Sequence, residues 1–561
     1  MAMDDCNNRQ DDRNDEGIES RREELVAFAK THLDAGLPCV PELEALLAAL
    51  TPKVKAIHAT GLISFVRDLK HDVDGIEAIL QELQPPESHD GIGAPKQEIT
   101  RAGLDAIWKR LEPRTTGAYH STTRWQVLRR CANLIAFKRT FQGSARDDRR
   151  AAVLERGLQT NHEKLHMHRV IKEQSKIEVA VVDRGAGWID LRWISADRLS
   201  RQMTDSGWSW GEYTPGDEVD RDEWEDVPFV KQVRRAVAAA RLNRHEYRIP
   251  TIRLVLPNLA RGTHGDIDVL LDQLPRIDPG VDLVVEDATC AFLTRPAPSL
   301  ADTIRNLVGD SLQVLTDTLN LEHTVLVDLI SDLTHLRLAQ QPWQSRTTRA
   351  QIAEENAHPD GVMAPLLYPL LQGRRLVCTH EAAEHFHEML TTVGTATERE
   401  RGRLLVPYYT AERRATASAL RTRFNALSER LPPVDVQFPV EILPADEQWD
   451  VERVRRLVED EQALPPVALD IVRRGLLKSS KLSTYMHGWR HDIVTVTSNK
   501  EIRAHMKTWV EAGRRADDER GPQLYCVEVT RNLLAKSAMP PPGWVFGSGT
   551  DEWEKEDSAA V

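Results

Sequence analysis

The sequence predicts an α/β protein in two parts. A helical and mixed α/β N-terminal region is followed by a parallel-sheet α/β domain. Before position 84, apolar residues recur three and four apart, the spacing of a helix face: Leu25, Phe28, Ala29; Leu43, Leu46, Leu47, Leu50; Leu62, Phe65, Val66, Leu69; Ile76, Ile79, Leu80, Leu83. The period changes at Lys176, where Ile177–Val182 and Trp188–Ile194 read as two strands joined by Arg184-Gly185-Ala186-Gly187. After residue 300, short apolar runs alternate with amphipathic helical stretches, as a parallel sheet with crossover helices requires.

Composition narrows the class. A chain of 561 residues implies about two to four domains with real cores. The formal net charge of −13 offers no overall attraction to nucleic acid, so an RNA partner would have to meet a local basic patch. No apolar run reaches the length of about 18 residues that spans a bilayer, so no membrane partner is expected. The polar, acidic first 16 residues lack an apolar signal-peptide core. Cys6, Cys39, Cys131, Cys290, Cys378 and Cys526 form no C-x-x-C pair and read as reduced thiols. An intracellular protein, cytoplasmic or nuclear, is therefore expected.

Taken in order, residues 1–16 read as disordered and 17–90 as a helical hairpin or bundle, punctuated by Gly36-Leu37-Pro38 and Thr51-Pro52 and closed by a linker at 85–91. Residues 97–174 read as a further helical addition. There Trp125, Leu128, Cys131, Leu134 and Ile135 form a stripe, and Arg124, Arg129, Arg130, Lys138 and Arg139 make the best basic patch in the chain. A solvated helix face is its ordinary explanation; a nucleic-acid contact is the functional one. Residues 175–295 form a mixed α/β region: the hairpin, an acidic irregular stretch with Trp208, Trp210 and Trp224, and a β-α-β unit over 252–285. Gly185-Ala186-Gly187 precedes no helix and is no dinucleotide loop. The last domain is expected over 300–538, with strands at 314–321, 376–378, 404–409, 493–496 and 524–529 and an extended run at 434–443. The Pro/Gly-rich, acidic tail 540–561 reads as disordered.

The stretch 319–335, L-N-L-E-H-T-V-L-V-D-L-I-S-D-L-T-H, organises that domain. Glu322 ends an apolar strand. Thr324, Val325, Leu326, Leu329, Ile330 and Leu333 then follow a helical period, which puts Asp328 and Asp332 on one face. Open α/β sheets place ligands at the C-terminal ends of their strands. Two solvated aspartates on a surface helix are the bland alternative.

Four strings in this half resemble a eukaryotic family of the domain of unknown function 1308 type, whose C-terminal region is PIN-like. They are L-N-L-E-H-T-V-L-V-D-L-I-S at 319–331, the strand Leu376-Val377-Cys378 running into Thr379-His380-Glu381, Gly394-Thr395-Ala396-Thr397-Glu398-Arg399-Glu400-Arg401, and Ser479-Ser480-Lys481-Leu482 with a Gly-containing loop before Val494–Asn499. PIN-like nucleases hold several acids at the C-terminal end of a parallel sheet, where Mg2+ or Mn2+ takes hard oxygen ligands and activates water toward a phosphodiester. Carried over by that resemblance, Glu322 is the first-strand acid, Glu381 the helix-start acid and Asp492 the loop acid. Asp470 and Asp328 are further metal candidates, and Lys481 joins the nucleic-acid contacts. Two positions depart from the family. Glu322 stands where the family has Asp, and ungapped counting from Asn499 puts Trp489, not Asp492, at the family's loop aspartate. The resemblance thus implies either a metal-dependent ribonuclease with a re-spaced acidic site or a catalytically inactive module that binds RNA or a protein.

Other chemistry finds less footing. Cys378 and His380 to His387 invite a zinc reading, but Glu384 occupies the second His position of H-E-x-x-H, and His380 and His385 are five apart. There is neither a G-x-S-x-G elbow nor a phosphate-binding P-loop.

Overall fold

The structure is a computed structural model that describes residues 4–50, 56–84, 100–309, 311–445, 448–535 and 539–540. The linker expected at 85–91, and the tail from 541 onward, lie outside the described residues. The chain divides into two compact units, 1–245 with 249–310 and 246–248 with 311–561.

In the first unit, helices α1 (Asp4–Gly36), α2 (Cys39–Leu50), α3 (Ala56–Leu83) and α4 (Arg101–Leu128) precede a five-stranded sheet. Its strands are β1 (Leu134–Gln142), β2 (Lys176–Asp183), β3 (Gly187–Leu191), β4 (Thr251–Leu256) and β5 (Leu283–Asp287), in spatial order β1-β2-β3-β4-β5. The β1-β2-β3 pairs are antiparallel and the β3-β4-β5 pairs parallel. The helical stripe and the hairpin thus stand where the periods put them, with three differences. α1 reaches back to Asp4, into the stretch expected to be disordered; no proline or β-branched residue interrupts residues 4–16. Residues 97–174 are no separate helical addition: α4 packs on α1 and α3, burying Leu104, Ile107 and Leu111 with Leu25, Ile76 and Leu83, and β1 forms the sheet edge. The helical stripe misleads beyond Leu128 because Asn133, in left-handed backbone at φ 48°, turns the chain into the strand. Trp208 and Trp224 are core residues, not part of a loose insertion; their indoles donate to Asp266 Oδ1 and the Val219 carbonyl.

The second unit holds an all-parallel sheet of β6 (Thr318–Leu321), β7 (Arg375–Cys378), β8 (Glu441–Ile442), β9 (Val494–Thr497) and β10 (Leu524–Cys526), in spatial order β10-β9-β6-β7-β8. The chain starts in the middle, moves outward through β7 and β8, then returns to the other side of β6. The direction of winding therefore reverses between β6 and β9, the point at which an open α/β sheet parts its loops and leaves a crevice. Helices cover the sheet: α5 (His323–Asp328), α6 (Asp332–His335), α7 (Arg346–Asn356), α8 (His380–Val393), α9 (Ala396–Leu405), α10 (Ser479–Arg490) and α11 (Lys500–Gly513). The run 404–409 is not a strand. Thr395 and Glu398 form a capping box that starts α9, and Leu404 and Leu405 are its last turn.

One glycine sets the depth of this packing. The expected Gly-containing loop is the C-terminal half of α10, and a Cβ on Gly488 would sit 2.1 Å from Thr495 Oγ1 and 3.4 Å from Asn320 Nδ2. Thr495 cannot yield freely, because its hydroxyl accepts from Asn320 Nδ2 at 3.0 Å. Gly488→Ala is expected to cost about 1–3 kcal/mol by overpacking, read as faster hydrogen exchange in β6 and β9. Unchanged exchange would show that α10 can lift off the sheet at no cost.

Candidate functional site

Strand β6 delivers Glu322 to the reversal point. The Glu322 amide donates to the Val496 carbonyl at 3.0 Å, so the first residue beyond β6 is still tied to β9. The side chain then turns back to cap α5. Glu322 Oε2 accepts from the Thr324 amide at 3.3 Å, from Thr497 Oγ1 at 3.0 Å and from the Thr324 hydroxyl. His323 Nδ1 stands 2.9 Å from Oε1, outside good hydrogen-bond geometry. Glu322 has no exposed surface. Burial pushes its pKa up, but His323, Thr324 and Thr497 outweigh that and hold it below the ordinary value.

One and a half turns on, Asp328 faces the end of β9. Its Oδ2 accepts from Ser498 Oγ at 2.5 Å and its Oδ1 from the Arg531 amide at 2.7 Å. Burial is the larger influence here and the Glu322 charge adds to it, so the carboxyl is pushed up to about 7. Glu322 and Asp328 are thus a coupled buried pair of which one is ionised and the other close to half-protonated at neutral pH.

Around this pair runs a scaffold that sequence reasoning took for a family signature alone. In E-R-E-R, Glu398 and Arg401 are one helical turn apart and point inward, while Arg399 and Glu400 do not share their burial. Glu398 accepts from the amides of Asp332 (3.0 Å), Thr395 (2.9 Å) and Leu534 (3.1 Å). Arg401 donates to Asp332 Oδ1 and to the Ile330 carbonyl, each at 2.8 Å, and twice to the Leu427 carbonyl. Glu355 receives Arg531 Nε at 2.7 Å, and Ser331 Oγ donates to the Asn532 carbonyl at 2.7 Å. Segment 527–534 is therefore strapped across the end of the sheet by Asp328, Ser331, Glu355 and Glu398. The most specific string of the resemblance is architectural.

The remaining expected ligands lie elsewhere. Asp492 sits in left-handed backbone (φ 50°) and takes Gln523 Nε2 at 2.7 Å. It precedes β9, so a four-residue strand, about 13 Å of extended chain, separates it from the end that carries Glu322. Parallel pairing of β6 and β9 puts the two at opposite ends of the strands, and the re-spaced loop aspartate is not part of this site. Asp470 pairs with Arg515 at 3.1 Å on the helix Pro466–Arg473. Glu381 lies half-buried in the first turn of α8 and lines a separate cavity of about 190 Å3 with His380, Trp449, Arg453, His487 and Arg490. Among the described residues, no three His, Cys, Asp or Glu side chains converge as a metal site, so the residues present do not fit the Mg2+ or Mn2+ centre. The zinc reading fails in the same way: Cys378 is sealed in the core, and His387 Nε2 meets the Val406 carbonyl at 2.8 Å.

Nor do the expected nucleic-acid contacts form one surface. Arg129 donates to the Pro298 carbonyl at 2.6 Å and Arg130 to the Leu293 and Arg295 carbonyls, so both brace a connector. Lys138 lies 3.9 Å from Asp68, over Phe65, and Arg139 lies over Phe141. Arg124 lines another cavity with Lys176 and Arg235. Lys481 is half-buried in the first turn of α10. One continuous helix would have gathered Arg124 to Arg139; α4 ends at Leu128, Arg129 and Arg130 lie in the turn after it, and Lys138 and Arg139 stand on β1.

Asn320, Thr324, Thr497, Ser498, Glu355 and Arg531 were missed as parts of this region. The signal for Thr497 was in the sequence. Thr495 and Thr497 alternate with Val494 and Val496, and all four are buried, so one face of β9 meets hydroxyl partners. Arg531 and Glu355 are 176 residues apart and carried no such signal.

Among the described residues, no helix is long and apolar enough to cross a membrane. No curated protein and no solved structure matches the chain. Residues 319–413, from β6 to beyond α9, match a family described as a protein of unknown function. That stretch, with its L-N-L strand end leading into Glu322 and its inward-facing Glu398 and Arg401, is similar to the domain of unknown function 1308 type.

Proposed function

We propose that the second unit is a PIN-like module that binds RNA without cleaving it. The observation that carries this reading is the character of the cavity that took Glu381. Arg453, Arg490, His380, His487 and His491 surround it, and Trp449 lies under the Arg453 guanidinium at 4.0 Å from its centroid. Cations beside an aromatic ring suit a phosphate backbone with an unstacked base. They do not suit a hydrated divalent metal, for which oxygen ligands are needed. At the reversal point, Glu322 and Asp328 are enclosed and hydrogen-bonded to their own fold.

Titration gives this reading a signature. Burial, then His491, Arg453, Arg490 and Arg375, hold His487 down at about 4, and burial with Arg490 and Arg453 lowers His491. Both rings are neutral at pH 7.5. A bound phosphodiester opposes the cationic crowding and favours their protonation, so affinity should rise as pH falls from 7.5 to 5.5. Fluorescence anisotropy with a short single-stranded RNA reads this directly. Arg453→Ala with Arg490→Ala is expected to weaken binding at least tenfold and to flatten the pH dependence. Absence of RNA binding would leave a protein partner as the occupant. Calorimetric uptake of Mg2+ or Mn2+ by the wild type, abolished in Glu322→Ala with Glu381→Ala, would overturn the non-catalytic reading and restore the nuclease.

A further inference from the structure

A cavity of about 470 Å3 in the first unit opens beside the β2–β3 turn and is unrelated to the RNA reading of the second. Arg130, Arg184, Arg253 and Arg295 line it against only two carboxylates, Asp183 and Glu286. Two of the arginines are committed. Arg253 is ion-paired with Glu286, and Arg130 donates to the Leu293 and Arg295 carbonyls. Asp183 is also engaged, since its Oδ1 accepts from the Ala132 amide at 2.9 Å. Arg184 and Arg295 are exposed, and among the described residues no carboxylate or carbonyl takes up either guanidinium. Phe292 supplies an apolar ring to the lining, with Arg253 4.6 Å and Arg295 5.8 Å from its centroid.

Local conformation adds an independent observation. Arg184 occupies left-handed backbone at φ 50°, in a hairpin turn that ordinarily takes Asn, Asp or Gly. The next residue must be glycine, because a Cβ on Gly185 would fall 2.2 Å from His245 Nε2. An arginine is thus held at the mouth of the cavity against local preference, and strain of this kind collects at ligand sites.

We propose that this cavity binds an organic phosphate monoester. Arg184 and Arg295 grip the dianionic phosphate at the mouth, since planar guanidinium groups match phosphate oxygens two at a time. The two positive charges in excess match the dianion, and the volume is that of a small-molecule site, well beyond a bare phosphate.

Calorimetry on the full chain, with adenosine monophosphate and inorganic phosphate as probes, tests this. Saturable binding is expected, tighter for the nucleotide than for phosphate. Arg184→Ala with Arg295→Ala should weaken it at least tenfold. Arg305→Ala removes an exposed arginine that pairs with Asp302 elsewhere in the unit and should leave it unchanged. Glu286→Gln frees Arg253 and should tighten it. No uptake of either probe at millimolar concentration by the wild type would overturn the site. Equal weakening by Arg305→Ala and by the double variant would do so too, by reducing the binding to diffuse charge.

Discussion

Replacing Arg401 by alanine is expected to destabilise the second unit by about 3–5 kcal/mol, the range for removing one partner of a buried ion pair. Arg401 is wholly buried, and its guanidinium answers Asp332 and two backbone carbonyls, those of Ile330 and Leu427. The substitution leaves Asp332 charged in the interior with only Thr395 and Thr397 hydroxyls for company, at 2.6 and 2.7 Å. The cost is mainly that orphaned charge, so Arg401→Ala with Asp332→Asn should recover a large part of it. Because the chain has two units, whole-chain melting would mix their transitions. Hydrogen exchange of β6, β9 and segment 527–534 isolates the effect. Wild-type exchange in Arg401→Ala would mean that the inward face of α9 does not hold the domain together.

The second large effect is a pH dependence of unusual sign. Asp328 has its carboxyl raised from 3.8 to about 7, chiefly by burial. The folded state therefore binds a proton that the unfolded state releases, and stability falls as pH rises through this window. The full swing is on the order of 4 kcal/mol. Glu322 acts in the opposite sense: its lowered pKa adds stability above its ordinary value of 4.5, lost as pH falls further. The two windows scarcely overlap, so between about pH 5 and 7 the Asp328 slope governs. Asp328→Asn keeps an acceptor for the Arg531 amide and removes the charge. It should flatten the slope and stabilise the unit above pH 7, as followed by hydrogen exchange at pH 5, 6 and 7.5. A slope that survives in Asp328→Asn would assign it to another group.

These two predictions rest on residues that differ in how far the sequence exposed them. Glu322 could be set at a strand end from apolar spacing alone; the same spacing put Asp328 and Asp332 on one helix face, whereas the structure ends α5 at Asp328 and starts α6 at Asp332, with Ser331 capping the second helix. The E-R-E-R string could be seen but not interpreted, because its meaning is the inward pairing of Arg401 and Glu398 with residues 69 and 136 positions away. Asp492 shows the limit most sharply. The resemblance offered it as the loop acid although ungapped counting from Asn499 reaches Trp489, and the direction of β9 carries it to the opposite end of the strands from Glu322.

By itself the sequence determined the α/β class, the N-terminal helical stripe, the β2–β3 hairpin and the strand ending at Glu322, because local period and turn chemistry act over a few residues. Only the tertiary structure decided the strand order β10-β9-β6-β7-β8, the edge strand β1, the strap of 527–534, and which carboxylates share a site. Those depend on contacts between residues far apart in the chain, whose free energy comes from burial and pairing that no local pattern encodes.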